Sequence, residues 1–313
     1  MQFSVYQQSH IGARRVNQDR MGYCFTRDAL LLVLADGMGG HLHGEIAATI
    51  AMQTLSMMFQ MQARPVIRTP ERFLEEALTQ AHRDIHAYAA RHKLPDTPRT
   101  TVVVCLVQYN CALWAHCGDS RLYWLRGEQV LARTRDHSHL EYLIERGKIA
   151  PADAASHPDR NKLYNCLGAQ TPPRIELSRQ AGLQTGDVLL LCSDGLWSTV
   201  PDLDIVRKLA TMSVVQAVPE LVAAAVARGG ARGDNTTALA IRWQGADNAD
   251  AGLPNVISTQ MLLDDQVGST IGSADALADP PPDLDLDPFD EDAIEKAIAE
   301  INQAIEKSSQ LLK

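Results

Sequence analysis

Apolar residues along this chain recur in two patterns, short runs bounded by turn residues and longer stretches with a spacing of three to four. The short runs, several of them rich in β-branched residues, predict strands. The predicted strands are 3–10, 21–26, 29–35, 100–108, 111–117, 122–125, 129–133, 175–178, 187–192 and 236–243. Because single turns separate the middle four, that part of the chain is predicted to form a β-meander.

Helical spacing predicts four further elements before residue 245, namely 45–61, 70–92, 140–147 and 203–227. His82 and His86 lie one turn apart on the second of these helices, a spacing that can bind zinc. The metalloprotease motif has Glu after its first His, whereas this chain has Arg83. We therefore favour a surface or packing role for both histidines, with zinc binding as the alternative.

Charge divides the chain into a near-neutral body and an acidic tail. The net charge is −9, but residues 245–313 alone hold 15 acidic and 3 basic residues. The body is therefore slightly basic, without the dense Lys/Arg face and interleaved aromatics of a nucleic-acid-binding protein. We predict an acidic Pro/Ala/Asp-rich disordered linker at 245–289 and an amphipathic helix at 290–313. That helix either packs on its own domain or is a docking or self-association segment.

Targeting signals and disulfide spacing are not evident in the sequence. Apolar runs fall short of the roughly 18 residues that a membrane helix needs, and the N-terminus lacks a signal-peptide pattern. Six cysteines are scattered, without a CxxC pair, and several lie inside apolar runs. Free thiols in a reducing compartment are the expectation, so we predict a cytoplasmic protein without a membrane span.

Two of the apolar runs end in the same way, with an aspartate followed by a glycine. LLVLA precedes Asp36, and VLLLCS precedes Asp194. Asp119 and Asp234 each follow a glycine in a further bend. One Asp-Gly turn is common in sheet proteins, but four carboxylates at strand ends and bends predict a shared site. All-oxygen ligands without a His or Cys cluster suit Mg²⁺ or Mn²⁺ rather than zinc.

Such a site suggests chemistry on phosphate. Two divalent ions held a few ångströms apart by carboxylates lower the pKa of a shared water and aim it at phosphorus. Arg14 carries a planar fork of donors that suits a phosphate group.

Seven short motifs of this chain occur in the order found in one enzyme family. They are RRVNQD at 14–19, ADGMGGH at 35–41, GDSR at 118–121, TRDHS at 134–138, HPDRNKLYNCLG at 157–168, SDGLW at 193–197 and GDNTT at 233–237. The series resembles that of the bacterial metal-dependent protein serine/threonine phosphatases, the PPM or protein phosphatase 2C-like family. The resemblance implies a catalytic domain at 1–244 with an α+β fold, a four-layer α-β-β-α sandwich with two central antiparallel sheets flanked by helices.

The resemblance also implies a metal-binding role for particular residues. Asp36 would bridge two ions, Mn²⁺ or Mg²⁺, and the Gly37 carbonyl would bind one of them. Asp194 and Asp234 would complete the protein ligands of the other ion. Asp119, with Asp194, matches a position that holds a third, weaker ion in bacterial members.

Other site residues follow from the same motifs. Asp19 would accept hydrogen bonds from metal-bound water, Arg14 would bind substrate phosphate, and the flap would be the excursion at about 136–168. The histidine that directly follows Asp-Gly in eukaryotic relatives is replaced here by Met38, which makes His41 the candidate general acid for the leaving oxygen. The alternative for His41 is a loop histidine that only binds water near the metal ligands.

Two further positions depart from the family pattern. Gln18 replaces a frequent Glu before Asp19, so a charge role there is lost. Arg99 replaces a glycine before the two threonines at 100–101, so that turn is expected to differ.

The function implied is hydrolysis of phosphoserine and phosphothreonine in proteins by direct attack of metal-activated water, reversing a cognate serine/threonine kinase. One alternative is a catalytically inactive relative that binds phosphoproteins, against which the intact aspartates and Arg14 argue. The other is a hydrolase for small phosphate esters, which the flap and the lack of a nucleotide-binding glycine loop disfavour.

Overall fold

The computed structural model of the chain describes residues 1–38, 43–150, 157, 159, 162–245 and 268–271. These residues form two antiparallel sheets with helices on the outer faces. The strands are β1 (Gln2–His10), β2 (Asp19–Phe25), β3 (Ala29–Asp36), β4 (Val102–Gln108), β5 (Cys111–Cys117), β6 (Arg121–Arg126), β7 (Gln129–Arg133), β8 (Glu176–Leu177), β9 (Ala181–Gly182), β10 (Val188–Cys192), β11 (Thr236–Gly245) and β12 (Gly268–Ser269).

Each sheet contains strands from both the N-terminal and the C-terminal half of the sequence. The first sheet has the order β1-β11-β10-β6-β7, and the second has the order β12-β2-β3-β4-β5-β8 with β9 also paired to β5. Neighbouring strands pair antiparallel throughout both sheets, from the β1–β11 ladder to the β4–β5 hairpin.

Helices form the outer layers, and one helix lies in the segment predicted as the flap. They are α1 (Gly44–Gln62), α2 (Pro70–Arg91), α3 (His139–Glu145), the single turn α4 (Asp194–Trp197), α5 (Asp202–Thr211) and α6 (Val214–Gly229). The helix in the flap segment is α3. Helix α1 packs on β2 and β3, and α6 packs on β1 and β11. The described residues thus show the predicted sandwich, and the predicted fold class is confirmed.

The core between the sheets follows from the two-residue period of the strands. Leu189 and Leu191 of β10 point into the layer between the sheets. Val188, Leu190 and Cys192 of the same strand point outward, onto α5 and α6. Because both faces of this strand are covered, its sequence reads as a continuous apolar run rather than an alternating one.

The predicted helix at 203–227 is wrong in one respect, since the structure has two helices there. Helix α5 ends at Thr211, Met212 is extended, and Ser213 is the N-cap residue of α6. The side chain of Arg242 donates to the carbonyls of Leu209 and Met212 and so satisfies the end of α5. A strand residue distant in sequence stabilises this break, and the apolar periodicity of 203–227 does not reveal it.

Within the segment predicted as a linker, residues 268–271 lie on the edge of β2, where β12 adds a strand. The predicted C-terminal helix at 290–313 lies outside the described residues.

Among the described residues, one helical stretch is long and apolar enough for a membrane span by length and composition, namely Val214–Arg232, which is α6 with the 3-10 turn that follows it. Its buried residues include Val218, Leu221 and Val222, which pack on the first sheet. This packing is that of a core helix. The six cysteines are all free, and five of them are buried.

Candidate active site

Five aspartates of the two sheets meet at one end of the sandwich. From the second sheet come Asp19 at the start of β2, Asp36 at the end of β3 and Asp119 just after β5. Asp194 follows β10, and Asp234 precedes β11, in the first sheet. Antiparallel pairing brings these ends together, with Asp19 directly opposite Asp36 in the register. The structure therefore gathers all five carboxylates that the sequence singled out.

The backbone around Asp36 is fixed by two threonines and a tight glycine contact. The Asp36 carbonyl accepts from the Thr101 N–H at 2.9 Å and from the Thr100 hydroxyl at 2.8 Å. A Cβ on Gly37 would lie 2.4 Å from the carbonyl oxygen of Gly44, at the start of α1. Position 37 therefore has no room for a side chain, and the peptide after Asp36 is held against the helix.

Asp19 is buried, with only half of its carboxylate satisfied by the protein. Its Oδ2 accepts from the Ser193 hydroxyl at 2.8 Å. Its Oδ1 is buried without a hydrogen-bond partner among the described residues. A buried acceptor without a hydrogen-bond partner lowers the stability of the fold, which indicates that a water or an ion binds at Oδ1.

Arg14 supplies a positive charge at the rim of the site. Its Nη2 lies 2.6 Å from Oδ2 of Asp234, and both side chains are partly exposed. Asn235 fixes the loop that carries Arg14, because its side-chain amide donates to the carbonyls of Ile11 and Val16. The guanidinium is thus anchored beside a carboxylate and open to solvent.

Burial and neighbouring negative charge raise the pKa values of four carboxyls in the site, those of Asp19, Asp36, Asp119 and Asp194. For Asp36 and Asp194, burial is the largest cause, followed by the neighbouring aspartates. Burial also raises the pKa of Asp119 to about 7, with help from the charge of Asp136. The pKa of Asp19 is raised by burial against the opposing hydrogen bond from Ser193. The protein alone leaves this negative charge poorly compensated.

Divalent cations of the hard type fit this arrangement. Carboxylate oxygens from several strand ends are the donors that Mg²⁺ and Mn²⁺ prefer. Cations would compensate the charges that raise the pKa values of Asp36 and Asp194. A water on such a cation would also give the buried Oδ1 of Asp19 a donor.

His137 connects the base of the flap to the turn that carries Asp119. Its Nδ1 accepts from the Gly118 N–H at 3.2 Å and lies 2.6 Å from the amide nitrogen of Asn165. That amide is oriented by two bonds to the backbone of Arg174. Because Nδ1 faces two donors, the neutral ring carries its proton on Nε2, which faces Glu176 at 3.3 Å.

His116, His137 and Glu176 have the spacing of a metal-binding group. The ring of His116 stacks on His137 at 4.6 Å and bonds through Nε2 to the Arg135 carbonyl. A metal on Nε2 of His137 would place the remaining ring proton on Nδ1, facing the two donors there. The donor set does not fit, and these groups form a hydrogen-bonded support for the flap.

We expect His137 to make the protein less stable in mild acid. Burial, and then the neighbouring His116, lower its pKa to about 4. An unfolded histidine titrates near 6.5, so stability present above that pH is lost as pH falls from about 6.5 to 4, by about 3 kcal/mol. Urea unfolding of wild type and His137→Asn at pH 7, 5.5 and 4.5 measures this. The variant keeps an acceptor for Gly118 and should lose the extra slope; equal slopes would contradict the assignment.

Several residues that support the site escaped the sequence analysis. Ser193 holds Asp19, and Asn235 holds the Arg14 loop. The sequence does not predict either role beyond placing the residue in a motif, because both residues act through contacts between distant segments. Gln18 lies outside the carboxylate group and donates to Glu45 at 3.0 Å. A Glu there would face a second carboxylate, which gives the departure from the family pattern a local reason.

Three other predictions concern histidines and a turn. The favoured packing role of His82 and His86 is confirmed, since they bond to the Gly168 N–H and the Ala169 carbonyl. The turn at Arg99 leads into Thr100, which forms isolated β-bridges with Gly37 and Leu167. Strand β4 begins at Val102, two residues after the start that the sequence predicts. His41 lies outside the described residues.

The sequence model of protein phosphatase 2C matches residues 6–227. The serine/threonine phosphatase stp of Listeria innocua is 32% identical over 191 residues, 60% of this chain and 75% of that protein. The crystal structure of the Mycobacterium tuberculosis serine/threonine phosphatase PstP/Ppp is 30% identical, covers 78% of this chain and 99% of its own, and gives a TM-score of 0.67. A PstP catalytic domain in complex with two manganese ions covers 77% and 97%, with 28% identity and a TM-score of 0.65.

Fold and site together define a metal-dependent hydrolase built on an α-β-β-α sandwich. The family match extends over most of the body and contains four of the five aspartates, while Asp234 lies just beyond its end. The chain belongs to the protein phosphatase 2C family, the PPM serine/threonine phosphatases.

Proposed function

We propose that this protein hydrolyses phosphoserine and phosphothreonine in proteins with the aid of two Mn²⁺ or Mg²⁺ ions. The observation that carries the proposal is the convergence of five strand-end carboxylates beside the anchored guanidinium of Arg14, with burial and mutual repulsion raising the pKa values of Asp36 and Asp194 among them. When bound, such ions supply an activated water and Lewis-acid stabilisation of the phosphoryl group. The family and the manganese-bound PstP neighbour support this assignment.

The residues that would hold the ions are those at the strand ends. Asp36 would bridge both ions, with the Gly37 carbonyl on one and Asp194 and Asp234 on the other. Asp119 and Asp194 would hold a third, weaker ion. The tight contact of Gly37 with Gly44 supports this by fixing the peptide that carries the carbonyl.

Two side chains would act on water and on the leaving group. The free Oδ1 of Asp19 would accept a hydrogen bond from water and orient it, while Ser193 holds Oδ2. His41 stays a prediction as the general acid that protonates the leaving serine or threonine oxygen.

Arg14 would orient the substrate phosphate. One nitrogen of its guanidinium bonds Asp234, and the rest of the exposed fork can meet two phosphate oxygens. We expect Arg14→Ala to raise KM for a phosphopeptide by about 10- to 100-fold, because a charge-assisted bidentate contact is lost. Steady-state kinetics measure the change, with Arg15→Ala at the exposed neighbouring residue as the matched control. Equal KM values for both variants would remove Arg14 from phosphate binding.

The proposed function is tested by hydrolysis of a phosphothreonine peptide by the full-length protein, with Mn²⁺ or with EDTA. We expect metal-dependent release of phosphate. Binding of the peptide without turnover in Mn²⁺ would favour the inactive phosphoprotein-binding relative. Faster turnover of small phosphate esters than of any phosphopeptide would favour a small-molecule hydrolase.

The cellular context follows from the same proposal. A serine/threonine kinase would generate the phosphoproteins that this enzyme dephosphorylates. Six free thiols support a reducing compartment such as the cytoplasm. The acidic tail and the segment 290–313 would dock a partner or pack on the catalytic domain.

A further inference from the structure

The outer edge of β2 is covered by a segment from far along the chain. Residues Gly268 and Ser269 pair with Phe25 and Cys24, and the Thr270 N–H donates to the Tyr23 carbonyl at 3.0 Å. The other edge of β2 is paired with β3. Without the added segment, β2 would present a row of unpaired backbone groups, which invites strand addition.

Gly22 forms a notch in this edge that matches the added segment. A Cβ at position 22 would lie 2.7 Å from Cγ1 of Ile271 and 3.1 Å from Oγ1 of Thr270. The terminal methyl of Met52, from α1, lies 3.5 Å from the same point. Since the φ angle of Gly22 lies outside the left-handed region, the backbone of β2 does not itself require glycine there. The glycine is needed for the Ile271 side chain.

Hydroxyl groups complete the fit. Oγ1 of Thr270 accepts from the Tyr23 N–H at 3.0 Å. The Ser269 hydroxyl lies 3.2 Å from Sγ of Cys24, and the Ser56 hydroxyl of α1 lies at the same distance on another side. The Cys24 side chain is consequently fully buried between the sheet, α1 and the added segment.

We propose that the β2 edge with its Gly22 notch is a strand-docking site, and that its occupant is the segment Gly268–Ile271 of the same chain. The site selects an extended segment in which two hydroxyl residues precede a branched apolar residue. A strand of two ladder pairs is marginal on its own, but residues 246–267 tether it and give it a high effective concentration. Docking holds Gly268–Ile271 on the edge of β2, whatever reaction the catalytic body performs.

Cys24 provides a direct readout of docking in the full-length protein. We compare the rate of alkylation of Cys24, followed by peptide mass spectrometry, in wild type, Gly22→Val and Ile271→Asp. Both variants should be labelled at least about tenfold faster, because a filled notch or a charged residue removes the hydrogen bonds and apolar contact that cover the thiol. Equal rates in all three proteins would overturn the proposal.

Two controls separate undocking from unfolding. A Cβ on Gly182 of β9 would meet nothing within 4 Å, so Gly182→Val introduces the same side chain at a strand glycine with open space. This variant should label like wild type. Cys192, also fully buried but in the first sheet, should stay protected in every variant. Labelling of Cys192 together with Cys24 would show global loosening and would count against docking.

A synthetic peptide of residues 264–275 then tests the specificity of the site. It should restore Cys24 protection in Ile271→Asp, whose notch is empty, and should fail in Gly22→Val, whose notch is filled. Failure in both would overturn the strand-docking site. Protection of the wild type should also be independent of protein concentration. Loss of protection on dilution would show that the occupant comes from a second copy, contrary to the proposal.

Discussion

Asp194→Asn is expected to abolish metal-dependent turnover and at the same time to stabilise the metal-free protein. The loss of activity should be on the order of 10³-fold, because several kcal/mol of charge stabilisation depend on the ions that this carboxylate would hold. The gain in stability, about 1 kcal/mol, comes from removing one of the mutually repelling carboxyls whose pKa values are raised. Phosphopeptide hydrolysis with Mn²⁺ and urea unfolding in EDTA measure the two effects.

The control for this experiment is Asp204→Asn. Asp204 forms an exposed ion pair with Arg228 on α5 and α6, away from the site. This variant should keep full activity and lose a few tenths of a kcal/mol of stability, the usual worth of a surface pair. Saturating Mn²⁺ should raise the stability of wild type by about 3 kcal/mol at 100-fold excess over its Kd, but raise that of Asp194→Asn much less. A metal-free Asp194→Asn protein less stable than wild type would contradict the electrostatic account of the site.

The second large effect is expected at Arg121, which joins three of the sequence motifs. Its Nε and Nη2 each lie 2.8 Å from an oxygen of Asp136, and both side chains are buried. The guanidinium lies over the ring of Trp197 at 3.7 Å. Arg121→Met should cost about 3–5 kcal/mol, because it leaves the Asp136 carboxylate buried without its partner. Urea unfolding at pH 7 measures the loss.

The double variant Arg121→Met/Asp136→Leu distinguishes the cost of an orphaned charge from the worth of the pair. We expect it to recover most of the lost stability, since an apolar pair of similar volume has no desolvation penalty to offset. Arg72→Met, in the exposed pair with Glu76 on α2, should leave the free energy of unfolding nearly unchanged, because solvent screens an exposed pair. If the double variant is as unstable as the single one, the favourable attraction within the pair is larger than its desolvation cost.

Much of this architecture was predictable from local sequence signals. The strands that lead to Asp36 and Asp194 are apolar runs followed by Asp-Gly, and strands 111–117 and 129–133 have the predicted bounds. Periodicity succeeds there because each element buries its own apolar face. The ends of α5 and β4 were not predictable, because Arg242 and Leu167 satisfy them from distant parts of the chain.

The site shows the same division. The aspartates could be predicted because a carboxylate at the end of an apolar run can be recognised from the sequence alone. The roles of Ser193, Asn235 and His137 could not, since each depends on a hydrogen bond between segments far apart in sequence. The tail segment on β2 was missed for a similar reason. Its composition is that of a linker, and only the notch at Gly22 shows where it fits.

The packed layer between the two sheets also has a consequence for cation binding. Asp36 extends from one sheet and Asp194 from the other, while Leu191 and the residues around it fill the space between them. A protein interior is dense, so a change of volume in that layer shifts one carboxylate relative to the other. Substitutions of core side chains that do not contact the cations should therefore still change the affinity of the site for them. A substitution in this core must therefore preserve the spacing of the ligand carboxylates as well as the stability of the fold.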